Sequence, residues 1–234
     1  MITLQEIAER EHTVLFDSSA SNLDNFIPKV YPTKRYEDLD VEYLIQCEKN
    51  LRDFLEFVLC PNTLTVDETV TNFVQLHKMV RDKQQFFNTQ KRRLISRYSS
   101  NQDQSRILVV DISDTIFNIL RILPRKIFKD GDRDEYKELY EYAKNVALHS
   151  SLPKLSVKNR QLCAAALYIS LHKNNHVGVV TKSINFRTAL ETMTRNLLKY
   201  IHVSFQTINL ELYPINIYLN IESGYKIIFS SKGT

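Results

Sequence analysis

The segment from Ser156 to Ser183 constrains this chain more than any other. It begins Ser156-Val157-Lys158-Asn159-Arg160-Gln161 and continues Leu162-Cys163-Ala164-Ala165-Ala166-Leu167-Tyr168-Ile169-Ser170. After a polar loop it reaches Val177-Gly178-Val179-Val180-Thr181-Lys182-Ser183. Leu162, Ala165, Ala166 and Ile169 recur at i, i+3, i+4 and i+7, which predicts a helix with one apolar face and a polar N-terminal end. Lys173 to His176 breaks it. Val177 to Val180 is a short, mostly β-branched run suited to a buried strand. Thr181 and Ser183 fall just past its carboxyl end, where open α/β sheets place their sites. A small-residue helix feeding a buried strand is half of an α/β unit, so the expected class is α/β.

The rest of the chain divides into similar pieces. His12-Thr13-Val14-Leu15-Phe16-Asp17-Ser18-Ser19 reads as a buried strand that ends in an acid and small hydroxyl residues. Residues 1 to 12 form a short helical lead-in, and Ser21 to Asp40 a polar excursion. Tyr43 to Val58 is an amphipathic helix with Leu44, Cys47, Leu51, Phe54, Leu55 and Val58 on one face. Pro61-Asn62 ends it, and Asn62 to Val66 reads as a second short strand. A helix follows with Asp67 as N-cap and Val70, Phe73, Val74, His77 and Val80 on its apolar side.

Arg81 to Arg97 is basic, with Lys91, Arg92, Arg93 and Arg97 near its end and Phe86, Phe87 and Tyr98 interleaved. Such a run is either a phosphate-contacting surface with aromatics for stacking or a solvated helix whose phenylalanines face the core. Ser99 to Ser105 is a polar break. Ile107 to Leu123 fits helical spacing better than a strand ending in Asp111 and Asp114, and Pro124 ends or kinks it. Asp134 to Leu148 and Phe186 to Tyr200 are further amphipathic helices. Val203 to Leu212 is rich in β-formers. From Ile215 to Ile221 apolar residues alternate with Asn216, Tyr218 and Asn220, and Tyr225 to Phe229 reads as a returning strand after a Ser223-Gly224 turn.

Two of these junctions, with a third, resemble the PIN-like family of metal-dependent nucleases. The strand ending in Asp17 matches the family's first motif, whose aspartate is the central metal ligand. The strand-to-helix join at Val66 to Phe73 is similar to the second motif, and there Asn72 stands where the family has a glutamate. Asn159 and Ser183 stand at the two remaining acid positions, at the helix start and in the turn after Thr181. The resemblance covers roughly His12 to Leu198. It implies a three-layer fold around a central, mostly parallel sheet, with a helix-rich insertion. Residues 1–200 would form this domain and 201–234 a hairpin-like β extension of it.

The resemblance implies Mg²⁺ or Mn²⁺ held by clustered carboxylates and phosphodiester hydrolysis. Here Asp17 is the only family acid kept, and Glu68, four residues before Asn72, is the nearest substitute. Asp17 and Glu68 are therefore the candidate catalytic pair, with Asp17 as candidate metal ligand; a turn or N-cap role for Asp17 is the other reading. Three lost charges leave a poor cage for a hard cation but also repel phosphate less.

The expected function is a degenerate PIN-like protein that binds RNA or a protein partner without cutting. No cofactor is expected in that case. The alternatives are an active, divergent Mg²⁺- or Mn²⁺-dependent ribonuclease, with Asp67 or Asp111 joining Asp17 and Glu68, and a purely structural module docking through its C-terminal β segment. Lys91, Arg92, Arg93, Arg97 and Lys182 are the candidate nucleic-acid contacts. A net charge of +4, from 31 basic and 27 acidic residues, permits such a partner without demanding one. No Gly-rich phosphate loop, Gly-x-Ser-x-Gly turn or His-Glu-x-x-His helix is present. No apolar run approaches the roughly 20 residues that span a membrane. Three cysteines in apolar settings, Cys47, Cys60 and Cys163, read as free thiols in a reducing cytoplasm.

Overall fold

A computed structural model describes residues 1–21, 41–78, 81, 100–149, 155–204, 212–221 and 224–231. Five strands form one sheet: β1 (Thr13–Phe16), β2 (Thr63–Leu64), β3 (Val177–Thr181), β4 (Ile215–Ile221) and β5 (Gly224–Ser230). Their order is β2-β1-β3-β4-β5. The first four run parallel, and β5 closes the edge antiparallel to β4. The chain is therefore α/β, as its βα junctions imply.

Helices cover both faces. One layer holds α1 (Leu4–Arg10), α2 (Val41–Leu59), α3 (67–78) and α4 (Ser100–Lys126). It packs against Val14, Phe16, Val180 and Tyr218. The other holds α5 (Asp134–His149), α6 (Val157–His172) and α7 (Ile184–Ser204), against Leu15, Val177, Val179, Ile215 and Ile217. Successive residues of β1 thus serve opposite cores, which is why the strand is apolar throughout rather than alternating. Phe16, Phe54, Phe57 and Phe73 form the aromatic centre of the first layer; Phe54 stacks on Phe73 at 5.4 Å and meets Phe16 edge-on at 5.5 Å.

Helix α6 differs from its expected single apolar face. Every residue from Leu162 to Leu171 is buried. The helix lies between the sheet and its neighbours α5 and α7, and the small Ala164-Ala165-Ala166 run lets them approach on all sides. Its N-cap is Ser156, whose hydroxyl accepts from the Asn159 amide at 3.2 Å.

Several boundaries move from their expected places. The stretch expected as a polar break is helical from Ser100 onward, because α4 is long enough to carry a polar first turn. Pro124 lies inside α4 but only two residues from its end, where its kink costs little. Asp67 is the first residue of α3 rather than its cap. Val74 is half-exposed rather than inward, and Phe117 on α4 is half-exposed too. Helix α7 runs through Val203 to Ser204, past the expected end at Tyr200 and across the expected junction at 200/201.

In β4 the expected inward set, Ile215 to Ile221 at every second position, holds only for Ile215 and Ile217. Tyr218 and Asn220 are buried as well, because helices cover both faces of the sheet and the pairing with β5 shifts between Ile217 and Tyr218. The polar excursion 22–40, most of the basic run including Lys91, Arg92, Arg93 and Arg97, residues 205–211 and Ser223 lie outside the described residues.

β4 and β5 extend the central sheet, and Ile2 bridges the outer strand at Tyr225. The cysteines are free, with Cys47 and Cys163 buried and Cys60 half-buried. Among the described residues no helix is long and apolar enough to cross a membrane.

Candidate functional site

The strand order places a switch point between β1 and β3: from β1 the chain moves outward to β2, and from β3 the other way to β4. In open α/β sheets the crevice beyond the carboxyl ends of such a strand pair is where ligands bind. Asp17 stands there at the end of β1 and Thr181 ends β3.

Asp17 is 1% exposed. A buried carboxylate needs donors, and this one has four. Its Oδ1 accepts from the Ser19 backbone N–H at 2.8 Å and from the Ser19 hydroxyl. Its Oδ2 accepts from the Thr181 hydroxyl at 3.0 Å and pairs with Lys158 Nζ at 3.3 Å. The ion pair is largely withdrawn from water, since only 19% of the Lys158 side chain is exposed.

Further hydrogen bonds around Asp17 tie the loops together. Ser19 Oγ accepts from the Lys182 amide at 2.8 Å, and Thr181 Oγ1 accepts from the Ser183 amide at 3.1 Å. Asn220 Nδ2 donates to the Ser19 carbonyl at 2.7 Å, and the Tyr225 hydroxyl donates to the Ala20 carbonyl at 2.5 Å. The turn Ser18–Ser21 is thereby fixed against β3, β4 and β5. Burial, with Asp53 and Asp17 adding to it, pushes the Tyr225 phenol far above its ordinary range, so it remains a donor.

Two of the other positions picked out in the sequence meet beside this network. Asn159 Nδ2 lies 3.4 Å from Ser183 Oγ, joining the N-terminal turns of α6 and α7. Asn159 is 8% exposed, and its Oδ1 has no partner. Lys182 is exposed at the rim. Glu68 and Asn72 lie on α3, both partly exposed, and the hydrogen bonds and ion pair of Asp17 go to Ser19, Thr181 and Lys158 rather than to either of them. Asp111 sits in the middle of α4. Among the described residues no group of three or more His, Cys, Asp or Glu side chains is placed to hold a metal ion.

Lys158 is the participant that sequence reasoning missed. A lysine in the first turn of a helix opposes the helix dipole, which is the one unusual feature of Lys158 in the sequence, and nothing there names Asp17 as its partner. Ser19 and Asn220 left no comparable sequence signal, because their roles depend on β4 packing over the Ser18–Ser21 turn.

The residues around Asp17 do not fit a divalent cation. Both carboxylate oxygens are already engaged, an ammonium lies 3.3 Å from one of them, and the neighbouring side chains are neutral. No family model, curated protein or solved structure matches this chain.

Proposed function

We propose that this chain is a degenerate PIN-like domain that binds single-stranded RNA without hydrolysing it. The observation that carries the reading is the Asp17–Lys158 pair. An ammonium holds the one remaining family acid at 3.3 Å, at the point where the resemblance puts a metal ion. Asn159 and Ser183, facing each other at 3.4 Å, occupy two further acid positions with neutral groups. A site that would be strongly anionic without its metal is therefore neutral or slightly basic by its own residues. Phosphate is not repelled from such a surface.

Other features point the same way. The N-terminal turns of α6 and α7 meet at the site, and each presents partial positive charge. Lys182 is exposed between β3 and α7 and is free to contact a backbone phosphate. The strand order, with its switch point over Asp17, is the arrangement expected of this fold class.

The test is fluorescence anisotropy with a labelled single-stranded RNA, in EDTA and in Mn²⁺, with the RNA recovered and sized afterwards. Equal affinity in both buffers and full-length RNA are expected. Lys182→Ala should weaken binding and flatten the plot of log affinity against log salt by about 0.7, the contribution of one phosphate contact on a single strand. Absence of binding would overturn the RNA reading. Binding lost in EDTA, with shortened RNA in Mn²⁺, would replace it with an active nuclease.

A further inference from the structure

Beside the Asp17–Lys158 pair, on the β2 side, lies a pocket of about 260 Å³. Its position follows from two links. Gln161, which lines it, is one helical turn beyond Lys158 on α6. Asp67, on its other side, comes two residues after Thr65, whose hydroxyl donates to the Phe16 carbonyl at 2.9 Å, next to Asp17.

The lining has a definite chemistry. Phe128 and Tyr136, with ring centroids 5.2 Å apart, form an aromatic wall. Asp67 and Asp132 contribute two carboxylates at the mouth and Lys129 one ammonium. Gln161 Oε1 is buried and has no hydrogen-bond partner. A buried amide carbonyl left without a donor is costly, so native structures pair such a group with protein, an ordered water or a ligand. Polar acceptors thus dominate over an aromatic surface. Such a pocket suits a flat group rich in N–H donors. With two carboxylates against one ammonium, the mouth is net negative and disfavours phosphate.

We infer that this pocket receives a nucleobase bearing an exocyclic amino group, from the strand that the neighbouring site binds. The inference rests on the RNA-binding reading above and adds base preference to it. The base ring packs against Phe128 and Tyr136, and its amino group donates to Gln161 Oε1 and to Asp67. Uracil, which presents carbonyl oxygens where cytosine presents an amino group at position 4, meets acceptor with acceptor.

The experiment compares oligocytidylate, oligoadenylate, oligouridylate and an abasic ribose-phosphate strand of equal length, by anisotropy in EDTA, on the full chain. The cytosine and adenine strands are expected to bind about tenfold more tightly than the uracil and abasic strands, the effect of one charge-assisted hydrogen bond. Asp67→Asn and Gln161→Leu should each shrink that ratio while leaving uracil affinity unchanged. Lys182→Ala should weaken all strands alike. If wild type binds all four strands equally, or the preference survives in both pocket variants, the pocket assignment is wrong and RNA binding stands. If no strand binds, both readings fall.

Discussion

Replacing Asp17 by alanine is expected to lower the free energy of unfolding by about 3–5 kcal/mol, the usual cost of leaving a buried charge and its donors without their partner. The carboxylate is 1% exposed and joins three parts of the fold: the Ser18–Ser21 turn through Ser19, β3 through Thr181 and α6 through Lys158. Its removal strands the Ser19 amide, the Thr181 hydroxyl and the Lys158 ammonium together. Asp17→Asn keeps the shape and one acceptor oxygen, so its loss should be about half as large. Urea denaturation of the three proteins, at unchanged slope, measures both. The sign carries the meaning. Where a carboxylate is held among like charges for metal binding, removing it relieves repulsion and commonly stabilises the apoprotein. A loss below about 1 kcal/mol for Asp17→Ala would mean that Asp17 does not hold these segments together.

Gly178→Ala should cost about 2–4 kcal/mol, through overpacking and through the hydrogen bonds that the displaced groups give up. Gly178 is the second residue of β3, and a Cβ there would come within 2.7 Å of Glu11 Cγ and 3.2 Å of Tyr218 Cε2. Neither neighbour can retreat freely. Glu11 is 5% exposed, and its Oε1 accepts from Asn216 Nδ2 at 2.7 Å and from the Tyr218 hydroxyl at 2.5 Å. Burial, reinforced by Glu11, holds the Tyr218 phenol far above its ordinary range and keeps it protonated as that donor. Moving Glu11 away from a new methyl breaks both bonds and leaves a buried carboxylate short of donors. The check is thermal unfolding of Gly178→Ala alone and combined with Glu11→Ala. The methyl should cost less once Cγ is gone, a coupling that a simple loss of strand propensity would not produce.

The layout of the sheet was legible because its strands are short, apolar and followed by recognisable helix starts. The carboxyl ends of β1 and β3 were correctly marked by Asp17 and Thr181. Asn159 and Ser183, chosen as matching positions far apart in sequence, do come together. What could not be read was how charge is balanced at the site. Lys158 looked like part of a polar helix end, and only the packing of α6 against β1 and β3 turns it toward Asp17. Periodicity also misled wherever an element is covered on every side. α6 and β4 are buried beyond one face, so the positions expected outside, Tyr168, Tyr218 and Asn220 among them, are inside. Val74 erred the other way, since its helix leaves one flank open. The pocket was invisible because its lining comes from three segments far apart in sequence, at Asp67, from Phe128 to Tyr136 and at Gln161.

On the proposed reading, the Lys158 ammonium stands where a PIN-like nuclease would hold a metal ion. Calorimetric titration of Mn²⁺ into the wild-type chain, Asp17→Asn and Lys158→Glu decides whether it does. Wild type and Asp17→Asn should show no saturable binding, and Lys158→Glu, which sets a second carboxylate beside Asp17, should gain it. Saturable Mn²⁺ binding by the wild type that Asp17→Asn abolishes would contradict the claim and restore a metal site at Asp17.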